Sequence, residues 1–290
     1  MSIEDQRPIY VIPWRRFILI GTTDTDYDGD PDRVLTQKSD VVYLLSSINY
    51  YFPDINLTED NIISTFAGLR PLVYEEQKSA SAVTREYQIF ENPENVFTII
   101  GGKLTTYRTM AEEIVNQMGK VLQKSFDISA ENKKCTTDKY HLYGGDISDY
   151  DKFFKEWTNH LVNGYDFGED IAEHFVETFG SRIPDLLTAI DETENGKERL
   201  LPELPHVWGE LTYAFRHEMV MGLDDFLIRR THLFSLDPKQ ALDIHEAVAD
   251  RMGELLGWSQ SDKKIQIERY KSKVNIIQHY RANRSLRYDS

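Results

Sequence analysis

Cysteine is nearly absent: Cys135 stands alone in 290 residues, which excludes an intramolecular disulfide and any cysteine-rich zinc site. No apolar run approaches the roughly 20 residues that a membrane-crossing helix needs. Met1-Ser2-Ile3-Glu4-Asp5 has no basic flank and no apolar stretch, so no secretory leader is expected there. Positive charge is in deficit, with 33 Lys and Arg against 48 Asp and Glu, a net charge of −15. Such a chain repels phosphate backbones, and general nucleic-acid binding is excluded as a function class. A few cations gathered in a cleft can still bind a small anion against that field. No two glycines lie at i and i+2, so the G-x-G-x-x-G dinucleotide fingerprint is missing. G-x-S-x-G and H-E-x-x-H are missing too, which removes the familiar serine-hydrolase and zinc-protease engines and leaves no metal-binding motif.

What is present is globular: 40% hydrophobic and 12% aromatic residues, with only 16 Gly and 10 Pro. Ile9–Ile12 and Phe17–Ile20, parted by Pro13-Trp14-Arg15-Arg16, read as a hairpin. Ser39–Tyr51 has helical spacing, and Ile62–Phe66 and Ala82–Phe90 read as strands. Val96–Ile100 is a short continuous apolar run, as in a strand covered on both faces. Gly101-Gly102 ends it, and Thr105–Leu122 places Tyr107, Met110, Ile114, Val115, Met118 and Leu122 on one helical face. Polar residues dominate 123–148, where a domain boundary is expected. Beyond it the periodicity is helical over Asp149–Asn163, Glu169–Phe179, Ile183–Ile190, His206–Leu233, Pro238–Leu256 and Asp262–Arg281. Gly164, Gly180 and Gly257 sit where left-handed C-caps want glycine, and Asp237-Pro238 reads as a helix start. The expected class is α+β: an antiparallel sheet remnant through residue 95, a strand–Gly-Gly–helix return over 96–125, a helical domain over 126–258 and a helical tail over 259–290.

Among local motifs, strand–Gly101-Gly102-Lys103–helix says most. Glycine lets backbone approach a ligand, the helix start offers unpaired N–H groups, and Lys103 adds a full charge. It is not a P-loop, because Phe97 and Leu104 stand where that motif needs Gly and Ser or Thr. A tight turn capped by Thr105 or Thr106 fits the same pattern. Asp24-Thr25-Asp26-Tyr27-Asp28-Gly29 opens like a calcium loop, but Leu35 occupies the place of the closing Glu, and an acidic turn is the better reading. Arg70 and Arg85 fit surface ion pairs, or a fork for a phosphate ester if they converge with Lys103. Asp225 and Arg229, four apart, read as an ordinary helical ion pair, and His217, His232 and His245 as packing or surface residues.

Five ordered blocks carry a more specific signal: Ile12-Pro13-Trp14, Ile20-Gly21-Thr22-Thr23-Asp24, Ala67-Gly68-Leu69-Arg70-Pro71-Leu72, Thr84-Arg85-Glu86-Tyr87 and Gly101-Gly102-Lys103-Leu104-Thr105-Thr106-Tyr107-Arg108. The series closely resembles the FAD-dependent glycerol-3-phosphate dehydrogenases and glycerophosphate oxidases. Leu227-Ile228-Arg229-Arg230-Thr231 and Leu256-Gly257-Trp258 resemble that family's helical C-terminal domain, so the likeness spans about residues 8 to 258. The Gly-rich turn that holds the FAD pyrophosphate in the family has no counterpart here. The expectation is therefore the C-terminal portion of such an enzyme, either a truncated reading frame or one half of a split gene partnered by a separate N-terminal FAD-binding half.

The resemblance implies oxidation of glycerol 3-phosphate to dihydroxyacetone phosphate by hydride transfer to FAD, with electrons passed to a quinone. It implies substrate contacts at Arg70, Arg85 and Lys103, and flavin contacts at Gly101, Gly102, Lys103, Leu104 and Thr105. It leaves the catalytic base unassigned. It also implies a cytoplasmic chain, at most peripheral on the inner face of the cell membrane and compatible with a homo-oligomer. The alternative is a non-catalytic fragment or helical interaction module without its own flavin.

Overall fold

The computed structural model describes residues 1–72, 86–92, 95–126 and 134–282. It is α+β, with two small antiparallel sheets and a helical C-terminal array. Two units divide it: one of residues 1–22, 35–67 and 141–290, the other of 23–34 and 68–140.

The first unit opens with the expected hairpin, β1 (Tyr10–Trp14) and β2 (Phe17–Gly21), joined through Arg15 at φ 55°. Its tip is held on the helices: Arg15 Nη1 lies 3.3 Å from His174 Nδ1, and Arg16 Nη1 donates to the Glu203 carbonyl at 2.5 Å. Helix α1 (Lys38–Tyr51) follows as its periodicity predicts, with Asp40 closing a capping box on Gln37.

Residues 62–66 correct the sequence reading, since they form no strand. Distant residues hold the segment through side-chain hydrogen bonds instead. Gln240 Nε2 donates to the Ile63 carbonyl, Arg281 Nη2 donates to that of Ile62, and Thr65 Oγ1 donates to that of Ile277. A carbonyl satisfied by side chains needs no ladder partner.

The helical array comprises α3 (Tyr150–Tyr165), α4 (Glu169–Phe179), α5 (Ile183–Asp191), α6 (Gly209–His217), α7 (Leu233–Leu236), α8 (His245–Leu256), α9 (Gln260–Ile277) and α10 (His279–Ala282). Helix α4 shows why this half was legible. Ile171, Ala172, Phe175, Val176 and Phe179 fall on one face and are all buried, while Glu169 and Asp170 favour the first turn electrostatically. They pack with Leu161, Ile183 and Leu186, each 0% exposed. Burial of this kind is worth about 1.5–3 kcal/mol per large side chain. A second cluster gathers Leu211, Phe226, Leu233, Met252 and Tyr270, with Phe17 of the hairpin against it.

Three helical stretches differ from the periodicity. His206–Leu233 is split because Met219 takes φ 54°; Asp225 then accepts from the Met221 and Gly222 amides at 3.0 Å each and starts a π-helical turn, Asp225–Arg230. Pro238–Leu256 is split because Gln240 and Ala241 take φ 52° and 56°. Asp237 Oδ2 caps the Ala241 amide at 2.7 Å within this turn, and α8 starts only at His245. Gly164 lies inside α3, and Asp166 at φ 61° ends that helix instead; Gly180 and Gly257 do end theirs.

The second unit contains β3 (Tyr87–Asn92) paired with β4 (Val96–Gly101), then α2 (Tyr107–Phe126). The apolar run 96–100 is a strand as expected, but it is not covered on both faces. Among the described residues it pairs with β3 alone, and Val96 is 53% exposed. No residue of α2 is buried, and its apolar face leaves Tyr107, Val115, Met118 and Leu122 in solvent.

Candidate functional site

The turn from β4 into α2 is built on two glycines with positive φ, Gly101 at 85° and Gly102 at 87°. A Cβ on Gly101 would stand 2.7 Å from the Glu86 carbonyl oxygen, and one on Gly102 would stand 2.6 Å from Met110 Sδ. Only glycine fits the backbone here without strain. Lys103 returns to extended backbone and occupies the cap position of a 3-10 turn, Leu104–Thr106, that runs directly into α2. Neither threonine caps the helix. Thr106 sends both its amide and its hydroxyl back to the Lys103 carbonyl at 2.9 Å. Tyr87 OH donates to Glu113 of α2, which ties β3 to the helix; that bond pushes the phenol pKa up.

The site so formed is open. Lys103, Leu104 and Thr105 are exposed, Leu104 at 90%. No carboxylate pairs with Lys103 among the described residues. The first N–H groups of a helical segment and an ammonium together favour a bound negative charge. An anionic edge of a planar ligand can reach this backbone because no Cβ stands at 101 or 102.

Arg70 belongs to the same unit and donates from Nη1 to Asp24 Oδ2 at 3.0 Å. No hydrogen bond or ion pair joins it to the 101–105 turn among the described residues. Arg85 lies outside the described residues, as does most of the stretch 82–86. Asp24 thus serves as an arginine partner, in keeping with its reading as part of an acidic turn. Asp225 and Arg229 form the expected ion pair at 2.8 Å.

Sequence reasoning missed a second polar constellation, in the helical unit. His174 of α4, His206 before α6 and Glu210 in the first turn of α6 are 4%, 0% and 3% exposed. His174 Nε2 and His206 Nδ1 each lie 3.1 Å from Glu210 Oε2, and Glu210 Oε1 accepts from the Val207 amide at 2.8 Å. Burial alone would raise the Glu210 pKa, but His206 and His174 outweigh it and hold the carboxyl well below its usual range. Burial lowers the pKa of His206. The four-residue spacing of His206 and Glu210 was the available signal. Thirty-two residues separate His174 from His206, so no local pattern joins them. A larger cavity of about 350 Å³ opens nearby, lined by Tyr143, Tyr150, Glu177 and Gly180 among others.

Residues 1–115 match the family model described as FAD dependent oxidoreductase, and residues 135–263 match that of the C-terminal domain of alpha-glycerophosphate oxidase. The class is an FAD-dependent oxidoreductase fold with an appended helical domain. The aerobic glycerol-3-phosphate dehydrogenase of Staphylococcus aureus strain USA300 is 35% identical over 278 residues, 95% of this chain and 49% of the relative. That of the bovine strain RF122 / ET3-1 is 34% identical over the same length. The structure of glycerol-3-phosphate dehydrogenase from Bacillus halodurans, complexed with FAD, superposes with a TM-score of 0.80 at 29% identity, covering 96% of this chain and 52% of that one. The chain belongs to the family of FAD-dependent glycerol-3-phosphate dehydrogenases and glycerophosphate oxidases. It spans about half the length of the curated relatives it matches.

Proposed function

We propose that this chain supplies the substrate-side residues, the flavin-facing turn and the helical domain of an enzyme that oxidises sn-glycerol 3-phosphate to dihydroxyacetone phosphate. The observation that carries the reading is the Gly101-Gly102-Lys103 turn, an exposed cationic helix start on bare backbone, inside a chain whose two segments match the two domains of the family. FAD, when bound, accepts the hydride from substrate C2. Gly101 and Gly102 would leave room for close approach of its ring, the backbone of Leu104 and Thr105 would contact it, and Lys103 would hold negative charge at its edge. Arg70, Arg85 and Lys103 take the phosphate and oxygens of the substrate between them, the arginines as planar forks. To do so Arg70 exchanges Asp24 for phosphate. The electrons pass to a quinone, which brings the enzyme to a membrane surface as a peripheral protein. No helix among the described residues is long and apolar enough to cross one.

The first test is the visible absorbance of the purified chain near about 370 and 450 nm, alone and mixed with the FAD-binding half of a relative. Flavin bound and reduced by glycerol 3-phosphate in the mixture supports the proposal. Flavin that glycerol 3-phosphate does not reduce favours the non-catalytic module. In the active assembly, Arg70→Ala and Lys103→Ala should each lower kcat/KM by roughly 10- to 150-fold, the worth of one charged hydrogen bond. Unchanged kcat/KM in both variants refutes the site.

A further inference from the structure

The geometry points to a zinc site at His174, His206 and Glu210, buried between α4 and α6. One donor atom from each residue converges so that all lie within 4.8 Å of one another. The two nitrogen-to-oxygen separations, both 3.1 Å, exceed the roughly 2.7–2.9 Å of a charge-assisted hydrogen bond to a carboxylate. They approach the separation of about 3.3 Å between ligands of a tetrahedral zinc with bonds near 2.0–2.1 Å. Two imidazoles and one carboxylate are a zinc donor set.

The surrounding shell fits as well. The Val207 amide orients the carboxylate through its other oxygen. Thr178 Oγ1, 3.1 Å from His174 Nδ1, can accept the ring proton once zinc takes Nε2. His206 Nε2 has no partner among the described residues.

Arg15 sits where a competitor should. Its guanidinium, 3.3 Å from His174 Nδ1, donates to that nitrogen and so puts the His174 proton on Nε2, the atom zinc needs. Zinc binding therefore displaces Arg15, whose residue is exposed and free to swing into solvent. The ion would staple α4 to α6 and compensate the buried Glu210 carboxylate.

The test is zinc binding by chelator-treated full-length chain, followed by calorimetry, metal analysis and thermal melting. One equivalent should bind, with a Tm that rises as zinc is added. His174→Gln and His206→Gln should each weaken binding by at least about 100-fold, whereas Arg15→Ala should tighten it by roughly tenfold. Cys135→Ser should change nothing, which separates this site from the free thiol. No zinc uptake, or uptake unaltered by both histidine variants, overturns the proposal. Unaltered affinity in Arg15→Ala overturns the competition. If the histidine variants do not fold, cobalt in the wild-type chain decides: tetrahedral visible bands support the site, and an octahedral spectrum refutes it.

Discussion

Gly101 does at the scale of one residue what no other side chain could. Its φ of 85° and the Glu86 carbonyl beside it leave no room for a methyl group. Gly101→Ala should therefore destabilise the turn from β4 into α2 by about 1–3 kcal/mol, read as a lower denaturant midpoint. Asp170 offers a residue-scale test against pH. Arg199 grips its carboxylate with two bonds, at 2.9 and 2.7 Å, and this holds the Asp170 pKa below its ordinary value. The folded pKa lies below the unfolded value of about 3.9, so the stabilisation is present above that pH and fades as pH falls through the folded pKa. The pair is half open to solvent, which keeps the effect small. Asp170→Asn should flatten the acid limb of a stability profile and change its neutral plateau little. A steeper acid limb would contradict the assignment. Glycines that sit after a strand were legible in the sequence because their conformational role is local. The His174–Glu210–His206 convergence was not, because it depends on where two separate helices pack.

Amphipathic periodicity identified α3, α4 and α5 nearly to the residue because one apolar face per helix meets a core. The same pattern ran through Met219 and through Gln240-Ala241, where left-handed residues other than glycine break the helix; Gly222, three residues after Met219, was the available signal at the first break. Ile62–Phe66 misled for another reason: β-rich composition marks a segment that side chains can pin as readily as strands can pair it. Helix α2 has the opposite character, correct in sequence yet uncovered in space. Val115 is 62% and Met118 42% exposed on its apolar face. Exposed faces of this kind drive association. Sedimentation of the chain alone should show self-association, and a Val115→Lys, Met118→Lys double variant should shift it toward monomer. Equal association in both forms would place the sticky surface elsewhere.

Across the whole molecule, the helical unit is closed by residues from opposite ends of the chain. Ile62 and Ile63 wait for Arg281 and Gln240, and Thr65 waits for Ile277. Tyr270 anchors that closure: it is 0% exposed, and its hydroxyl donates to the Gln240 carbonyl at 2.7 Å. Tyr270→Ala should cost about 3–5 kcal/mol and open the segment near residue 62 to limited proteolysis. Loss of stability without new cleavage there would separate the core from the strap. The arrangement also sets a schedule on the ribosome. The carbonyl of Ile62 emerges 219 residues before the arginine that satisfies it. At about 5–20 residues per second, that is an interval on the order of 10–40 seconds. For the first part of it the hairpin tip also lacks its supports, since His174 and Glu203 follow it by well over a hundred residues. The segment near residue 62 of a nascent chain is thus unpinned until α9 and α10 are made.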